Sequence, residues 1–329
     1  LSTTGEDAQP ARLLSGEADL ISGFGGSSYR AIEGSGGGGI RLGDAGASLD
    51  YTFLLFNLNP AVAGQQARVW FEQEAFRTAV SLAIDRAAIA KLVYRGRASA
   101  IWGPVTPARR RWFDDSIARP AHSAEEARKR LRSAGFRWDG NGKLLDSSGT
   151  PVRFTMLANS SNPAYAQTGA ILEEDLRKIG IEARTVPLEF RSLVDRVVNK
   201  RDFDTAIMAL RPGDADPAAD MNAFVSQGRT RLWNLSGKPD RPWEADIDRL
   251  MREQLETVDY QRRRTLFAQV QAVFARQMPM VCLVSPNLLY AAKEKLKNLL
   301  PGVSGDVVLW NAEELYWETG QELTRPRVR

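Results

Sequence analysis

The chain of 329 residues has one cysteine, Cys282, and one histidine, His122. A disulfide within the chain and a zinc site built from Cys and His ligands are therefore excluded. A thiol nucleophile served by His122 stays open as a hypothesis. However, Cys282 lies in the apolar run PMVCLV, which favours a buried and inert side chain.

Long apolar runs are missing as well. The sequence has no run of eighteen or more apolar residues, so it predicts no transmembrane helix. Its first residues, LSTTGEDAQP, lack the basic and apolar regions of a signal peptide. A targeting segment, if the protein is made with one, is not part of this sequence.

An excess of charge of one sign is also missing, because 44 Lys and Arg stand against 40 Asp and Glu, a formal net charge of +4. Binding to nucleic acid requires clustered cations that neutralise phosphates. The basic clusters here, Arg109–Arg111, Arg262–Arg264 and the final RPRVR, are short and far apart, which is typical of solvated helix faces. No nucleic-acid partner is predicted, and a module that binds an anionic polymer is kept as an alternative.

A glycine-rich stretch at residues 34–39, GSGGGG, formally satisfies the G-x-G-x-x-G pattern of dinucleotide-binding proteins. That fingerprint needs a strand before it, a helix opening on it and an acid about 20 residues later. The sequence IRLGDAGAS follows instead, so we predict a flexible loop. A phosphate-binding G-K-[ST] motif is absent too, and no cofactor is predicted.

Strand-like and helix-like segments alternate along most of the remaining chain. Apolar runs predict strands, and apolar residues at helical spacing predict helices, two of them begun by Asp85 and Ser123 as capping residues. This alternation predicts an α/β fold with at least partly parallel strands. The predicted strands are residues 51–57, 152–157, 181–186, 203–210 and 280–284, and the predicted helices include residues 123–131, 164–179, 191–198, 245–256 and 260–277.

The stretch ALRPGDADPAAD (residues 209–220), here called the Asp-rich loop, follows a predicted strand. A calcium loop fails on ligand count, because Ala218 and Val225 stand where oxygen ligands are needed. A glycosidase pair of Asp214 and Asp216 is too local to flank a scissile bond. No metal and no catalytic residue is predicted. A turn in which the two acids bond to the backbone and a ligand anchor both stay open.

Several segments, taken in their order, are more specific than any single motif. The sequence resembles the family 5 extracellular solute-binding proteins of ABC transporters, the group of the dipeptide and oligopeptide receptors. The resemblance covers about residues 11–317. It is carried by RLLSGEADLI, YTFLLFNLNP, FRTAVSLAIDRAAIAKLVYRG with WGPVTP, HSAEEARKRLRSAGF, DGNGKLLDSSGTPV, LEEDLRKIGIEA, KRDFDTAIMAL with GDADP, and the helical region from ADIDRLMREQ to MPMVCLV.

The resemblance implies a periplasmic-binding-protein-like fold of type II, cluster C. Family members are normally longer, so we expect the chain to correspond to the carboxy-terminal part of a receptor, without the segment that builds most of lobe I and lobe II. Because most of the opposing wall would then be missing, weak or absent ligand binding is expected for this chain alone. We expect a partial lobe I with a hinge strand at residues 1–57 and lobe III at residues 58–283. A returning hinge strand and lobe I tail are expected at residues 284–329.

The resemblance further implies a substrate-binding component of an ABC importer that captures peptides or a related small solute by lobe closure. The expected partners are that ligand and an ABC permease in the membrane. The protein is expected to be a monomer, periplasmic or otherwise outside the cytoplasm, and not an enzyme. A hydrolytic α/β enzyme using carboxylates is the alternative from another class.

Candidate ligand contacts in the Asp-rich loop follow from the same resemblance. In peptide receptors, an Asp four residues before the equivalent of Pro217 binds the ammonium group of the peptide, in a loop that contains a Trp. Gly213 occupies that position here, with Asp214 one residue later, and Arg211 stands near the expected Trp and could hold an anion instead. The candidate ligand contacts in this loop are therefore Arg211, Gly213, Asp214 and Asp216.

Four further candidates come from their places in the sequence. Trp102, in the extended WGPVTP segment, is a candidate for stacking on a ligand in the cleft. Asn159 follows a predicted strand at its carboxyl end, where α/β sheets tend to bind ligands. Trp233 and Asn234 are expected near the mouth of the same cleft.

Overall fold

The computed structural model describes residues 8–36, 38–60, 66–303 and 308–318. Gly37 of the glycine-rich stretch and the basic RPRVR end lie outside these ranges. The strands are β1 Leu20–Ser22, β2 Ile40–Ala47, β3 Tyr51–Phe56, β4 Ala98–Ala100, β5 Arg137–Trp138, β6 Leu144–Leu145, β7 Arg153–Asn159, β8 Glu182–Leu188, β9 Thr205–Leu210, β10 Met280–Lys293, β11 Leu296–Lys297 and β12 Tyr316–Trp317.

Helices pack between and beside these strands. They are α1 Ala8–Ser15, α2 Gly26–Gly34, α3 Gln66–Glu72, α4 Glu74–Ala83, α5 Arg86–Ala88, α6 Ala124–Ser133, α7 Pro163–Lys178, α8 Phe190–Val194, α9 Met221–Phe224, α10 Pro242–Glu256 and α11 Tyr260–Gln277. Two π-helical turns, Ile89–Val93 and Asp195–Lys200, extend α5 and α8. In the part of the chain that the structure describes, no helix is both long and apolar enough to span a bilayer.

An eight-stranded mixed sheet connects the described elements, in the order β1-β10-β3-β9-β7-β8, with β2 and β4 also paired to β10. β7 is parallel to β8 and to β9, and β3 is antiparallel to β9 and to β10. The predicted α/β class with partly parallel strands is therefore confirmed. Every residue of β3 is buried, as expected for a strand that reads YTFLLF and is covered on both faces.

β10 is longer than the predicted strand at residues 280–284. Its first part pairs with β3 and β4, and its second part pairs with β2 and β1. Pro286 lies between the two parts, beside irregular pairing, where a missing N–H costs little. The sequence PMVCLVSP suggested a stop at this point, whereas the second part continues because β2 and β1 satisfy its backbone.

The hydrophobic core is divided along β10. A large cluster surrounds β3, β7, β9 and the first part of β10, and a smaller cluster joins α1, α2 and the second part through Leu13, Phe24, Ile32 and Leu289. The predicted lobe limits at residues 57 and 283 stay a prediction. β3, which was assigned to the first of these regions, contributes its side chains to the large cluster.

The strand β2 is missing from the predicted strands. Its sequence, IRLGDAGA, follows the glycine-rich stretch and pairs with the second part of β10. Gly43 allows this pairing, since a Cβ at that position would lie only 2.0 Å from the Tyr290 ring. Helix capping follows the prediction: Asp85 accepts from the Ala88 N–H at 2.9 Å and Ser123 Oγ accepts from the Glu126 N–H at 3.1 Å.

Candidate ligand-binding cleft

A cleft of about 1140 Å³ opens where the two parts of β10 meet. Its walls include residues 22–28 before and within α2, residues 48–50 before β3, Thr52 of β3, the first turn of α7, the start of the Asp-rich loop and residues 286–289 of β10. Ordinary small-molecule pockets measure about 300–1,000 Å³. The cleft therefore has room for a ligand of several linked units.

Arg211 and Gly213, two of the predicted contacts, line this cleft. β9 runs antiparallel to β3 with Leu210 opposite Tyr51, which brings the next residues, Arg211 and Asp50, side by side. Arg211 donates from Nε to Asp50 Oδ1 at 2.9 Å and from Nη2 to Oδ2 at 2.7 Å. These hydrogen bonds, and then the charge of Asp50, raise the pKa of Arg211. The Arg211 side chain is 79% exposed, so the pair stands on the cleft surface.

Arg97 is a second cation on the cleft wall. Its guanidinium lies 3.6 Å from the centroid of the Tyr29 ring, and Nη1 donates to Asp44 Oδ2 at 2.9 Å. Asn287 also donates to Asp44. Burial raises the pKa of Asp44, but hydrogen bonds from the Gly46 N–H, Asn287 and Arg97 outweigh it, and the net pKa is lowered. Asp44 therefore neutralises Arg97 within the fold.

The later part of the Asp-rich loop is held from inside the molecule. Arg109 is buried and donates through both terminal nitrogens to the carboxylate of Asp220, which is buried too. The same guanidinium donates to the main-chain oxygen of Asp214 at 2.5 Å. Burial raises the pKa of Asp220, against the lowering effect of Arg109.

Asp216 is tied to α11. Arg263 Nη1 donates to Asp216 Oδ2 at 2.8 Å, and Asp216 Oδ1 accepts from the Ala218 N–H at 2.8 Å, which caps the 3₁₀ turn Pro217–Asp220. Burial raises the pKa of Asp216, but the bonds from Arg263 and Ala218 outweigh it and lower the net pKa. Arg263 also stacks on Trp112, which fixes its position.

Asp214 and Asp216 are not among the described residues that line the cleft. Asp214 is exposed, and its Oδ1 accepts from the Ala215 N–H at 2.5 Å. These contacts are the ones that the turn hypothesis predicts. A ligand-binding role for the two acids stays a prediction.

Trp102 does not line the cleft; it lines a separate cavity of about 40 Å³, together with Phe113 and Ile117 among others. Arg86 lies 5.4 Å from the centroid of its ring, and the buried Nε1 has no hydrogen-bond partner among the described residues. The prediction that Trp102 stacks on a ligand in the large cleft is therefore corrected. The sequence WGPVTP indicates an extended segment, but it does not indicate whether the Trp102 side chain points into the large cleft or away from it.

Asn159 ends β7 at the predicted edge of the sheet, but its Oδ1 accepts from the Ser161 N–H at 3.0 Å, within the turn. The next Asn along the chain, Asn162, lines the cleft instead and caps α7 through the Ala164 N–H at 3.0 Å. The sequence signal for Asn162 was its position directly before Pro163, which is typical of a helix start.

Trp233 and Asn234 were expected near the mouth of the cleft, and both are completely buried. Trp233 Nε1 donates to Glu244 Oε1 at 3.2 Å, and the Asn234 side chain donates to the same carboxylate. The Trp233 main-chain oxygen accepts from the Leu58 N–H at 2.9 Å. The correction is that these two residues hold the chain against α10. In the sequence, a Trp followed by an Asn is as compatible with a core that contains a buried carboxylate as with a ligand site.

Sequence reasoning missed several cleft residues. Asp50 and Arg97 supply charge, while Phe24, Tyr94 and Tyr165 supply aromatic surface. Asp50 could have been found, because it directly precedes β3, and Arg211 directly follows β9, the antiparallel partner of β3. Tyr94 directly follows the π-helical turn Ile89–Val93, and Tyr165 lies on α7. An aromatic residue in a helical segment is more often part of the core.

Other reactive groups are not gathered into a site. The described ranges contain no group of three or more His, Cys, Asp or Glu side chains that could hold a metal ion. Cys282 is buried, and burial raises the pKa of its thiol to about 12, against the opposing charge of Arg86. A thiol with that pKa is a poor nucleophile near neutral pH.

The sequence and the fold are similar to those of known solute-binding proteins. Residues 2–231 match the family model described as bacterial extracellular solute-binding proteins, family 5, middle region. The chain belongs to this family of solute-binding proteins. A probable ABC transporter-binding protein of Deinococcus radiodurans is 22% identical over 307 residues, which are 88% of this chain and 51% of that protein.

Solved structures of solute-binding proteins share the fold. The oligopeptide-binding protein AppA of Bacillus subtilis, solved with a nonapeptide, has a TM-score of 0.75 at 22% identity, over 96% of this chain and 59% of that one. The periplasmic binding protein MelB of Agrobacterium fabrum, solved with stachyose, has a TM-score of 0.78 at 18% identity, over 99% of this chain and 52% of that one. The chain spans about half the length of the Deinococcus relative.

Proposed function

We propose that the protein is the substrate-binding component of an ABC importer, which captures peptides or a related small solute in the cleft by closing its walls around the ligand. The observation that carries this proposal is the position of the cleft. It lies where the two parts of one strand, β10, join the large and the small core clusters. A ligand that touches both walls favours the conformation in which they are close together.

The chemistry of the cleft supports binding rather than catalysis. Its acid, Asp50, is engaged by Arg211 through both carboxylate oxygens. A general acid or base needs a group that can exchange a proton with the substrate, and both oxygens of the Asp50 carboxylate are already occupied by hydrogen bonds from Arg211. The hydrolytic alternative therefore has little support from the described residues.

Binding of an anionic polymer has less support, because arginines in two of the basic clusters are already paired with acids. Arg109 is buried against Asp220, and Arg262 and Arg263 are paired with Glu253 and Asp216. Cations that are already neutralised contribute little to phosphate binding. The proposed partners are a solute and an ABC permease, the proposed location is outside the cytoplasm, and the protein is proposed to act as a monomer.

Saturation-transfer difference NMR of the 329-residue chain with a panel of peptides, oligosaccharides and metal–amino acid complexes tests this function. At least one class should bind, and mass spectrometry should recover that solute unchanged after prolonged incubation. Gly213→Trp should weaken the signal, because the indole obstructs part of the cleft. Gly140→Trp is the matched control, because a Cβ at either glycine meets open space but Gly140 lies away from the cleft. Turnover of the solute, or binding that Gly213→Trp leaves unchanged, would contradict the proposal.

A further inference from the structure

The cleft carries few charges, and they are already paired. Among the described residues that line it, three have a formal charge: Asp50, Arg97 and Arg211. Asp50 and Arg211 form a bidentate pair across the β3–β9 end of the cleft. Arg97 is neutralised by Asp44, which stands outside the lining. The wall formed by this chain is therefore electrically balanced before any ligand enters.

A peptide with a free amino terminus needs a carboxylate that is available to its ammonium group, because an unpaired charge is costly to enclose. Asp50 is the carboxylate among the described cleft residues, and each of its two oxygens accepts from Arg211. An ammonium group would have to displace a guanidinium that holds Asp50 by several bonds. A ligand carboxylate that approached Arg211 would meet the negative charge of Asp50. Either ionic ligand is disfavoured at this pair.

The rest of the lining is neutral and suits hydroxyl groups. Serine, asparagine and glutamine side chains, such as Ser27, Asn162 and Gln167, both donate and accept hydrogen bonds. Phe24, Tyr94 and Tyr165 add flat apolar faces to the same cleft. A planar Arg–Asp pair offers donors and acceptors in fixed positions, which match neighbouring hydroxyls on a ring. The volume of about 1140 Å³ admits several such rings.

We propose that the cargo is a neutral polyhydroxylated solute of the oligosaccharide class, and that the Asp50–Arg211 pair determines this specificity. The inference rests on the proposed function and narrows it. The pair would recognise hydroxyls through its outer donors and acceptors, and it would reject free ammonium and carboxylate groups because each of its own charges is already matched.

Two substitutions in the 329-residue chain separate the contributions of the pair. Arg211→Gln exposes the Asp50 carboxylate, so binding of a neutral trisaccharide should fall about 10- to 100-fold, as expected for lost hydrogen bonds to a charged group, while a tripeptide with a free ammonium group should gain affinity. Asp50→Asn exposes the guanidinium, and a trisaccharide that ends in a uronic acid should gain affinity. Arg177→Gln is the matched control, because Arg177 pairs with Glu174 in a similar bidentate way outside the cleft.

Saturation-transfer NMR and calorimetry measure these affinities with the neutral trisaccharide, its uronic-acid analogue, a tripeptide and the N-acetylated tripeptide. Binding of the trisaccharide with the predicted changes in specificity supports the inference. Strong binding of the tripeptide that is lost on N-acetylation, or on Asp214→Asn, would overturn the inference while leaving the importer function standing. Trisaccharide binding that neither substitution changes would also overturn the inference. Turnover of a probe would instead count against the importer function itself.

Discussion

At its start, the Asp-rich loop presents Arg211 to the cleft, paired with Asp50; at its end, Asp220 is buried against Arg109. The two ion pairs belong to one short segment, and both join an arginine to an aspartate by two or more hydrogen bonds. They differ in burial. The Arg211 side chain is 79% exposed, whereas those of Arg109 and Asp220 are 1% and 6% exposed.

Burial determines what each pair can do. A buried pair is held in place because either partner alone would be an uncompensated charge, so it fixes the course of the loop. An exposed pair contributes little to stability, and the outer donors and acceptors of its two side chains face the cleft, where a ligand can bind them. The same residue types therefore position the loop at one end and are available for recognition at the other.

The largest expected effect is at the buried end. Arg109→Met leaves Asp220 without its partner and should lower the free energy of unfolding by about 3–5 kcal/mol. Urea denaturation followed by circular dichroism measures this loss. Because two apolar residues can replace a buried pair, Arg109→Met with Asp220→Leu should recover much of the stability. A single substitution that costs less than about 1 kcal/mol would mean that the pair does not fix the loop.

A smaller loss is expected at Asp216, which is intermediate in exposure. Arg263→Met removes two hydrogen bonds to the carboxylate, two to Gln254 and the contact with Trp112. Hydrogen bonds to charged groups contribute about 1.5–3 kcal/mol when buried, and partial exposure reduces this to about 1–2 kcal/mol here. The urea midpoint measures the change. If Arg263→Met lowered the free energy of unfolding as much as Arg109→Met does, the stability contributed by these ion pairs would not depend on their burial.

The pH dependence of stability tests the contribution of the Asp216–Arg263 pair separately. The net pKa of Asp216 is lowered in the folded protein, so its contribution is present above the unfolded pKa of about 3.9 and is lost as the pH falls through the lower folded value. Asp216→Asn should therefore weaken the protein at pH 7 and flatten its stability curve below about pH 4. In the Arg263→Met background, where Asp216 has lost its main partner, the same substitution should change the curve much less. Equal effects in both backgrounds would contradict this coupling.

Much of the fold could be predicted, because it depends on local patterns. The apolar run YTFLLF, the alternation of strands and helices, and the capping residues Asp85 and Ser123 each act over a few neighbouring residues. The strand β2 was missed because its sequence is rich in glycine and polar residues. It forms through pairing with the distant second part of β10, which local propensity does not contain.

The site was predictable only in part. The resemblance indicated the loop that holds Arg211 and Gly213, and both residues line the cleft. Neither the resemblance nor the residue pattern showed which side chains point into the cleft and which point into the core. Trp102, Trp233 and Asn234 were therefore expected at the cleft, which they do not line. Trp233 and Asn234 are buried because Glu244, an acid in α10, satisfies their polar groups. Such pairing between distant segments depends on the tertiary fold.

The smallest effect on stability is expected at the cleft end of the loop. Arg211→Gln should change the free energy of unfolding by less than about 0.5 kcal/mol, because exposed ion pairs are screened by water and lose side-chain freedom when they form. Arg177→Gln, at an exposed bidentate pair with Glu174 outside the cleft, provides the reference value. Urea denaturation of both variants should give curves that overlap with that of the unmodified chain. A loss above about 1.5 kcal/mol for Arg211→Gln alone would show that Asp50 and Arg211 hold the fold together, because surface substitutions without a structural role rarely cost so much. The two ends of the loop would then have the same task, and the pair would no longer be available for recognition of a ligand.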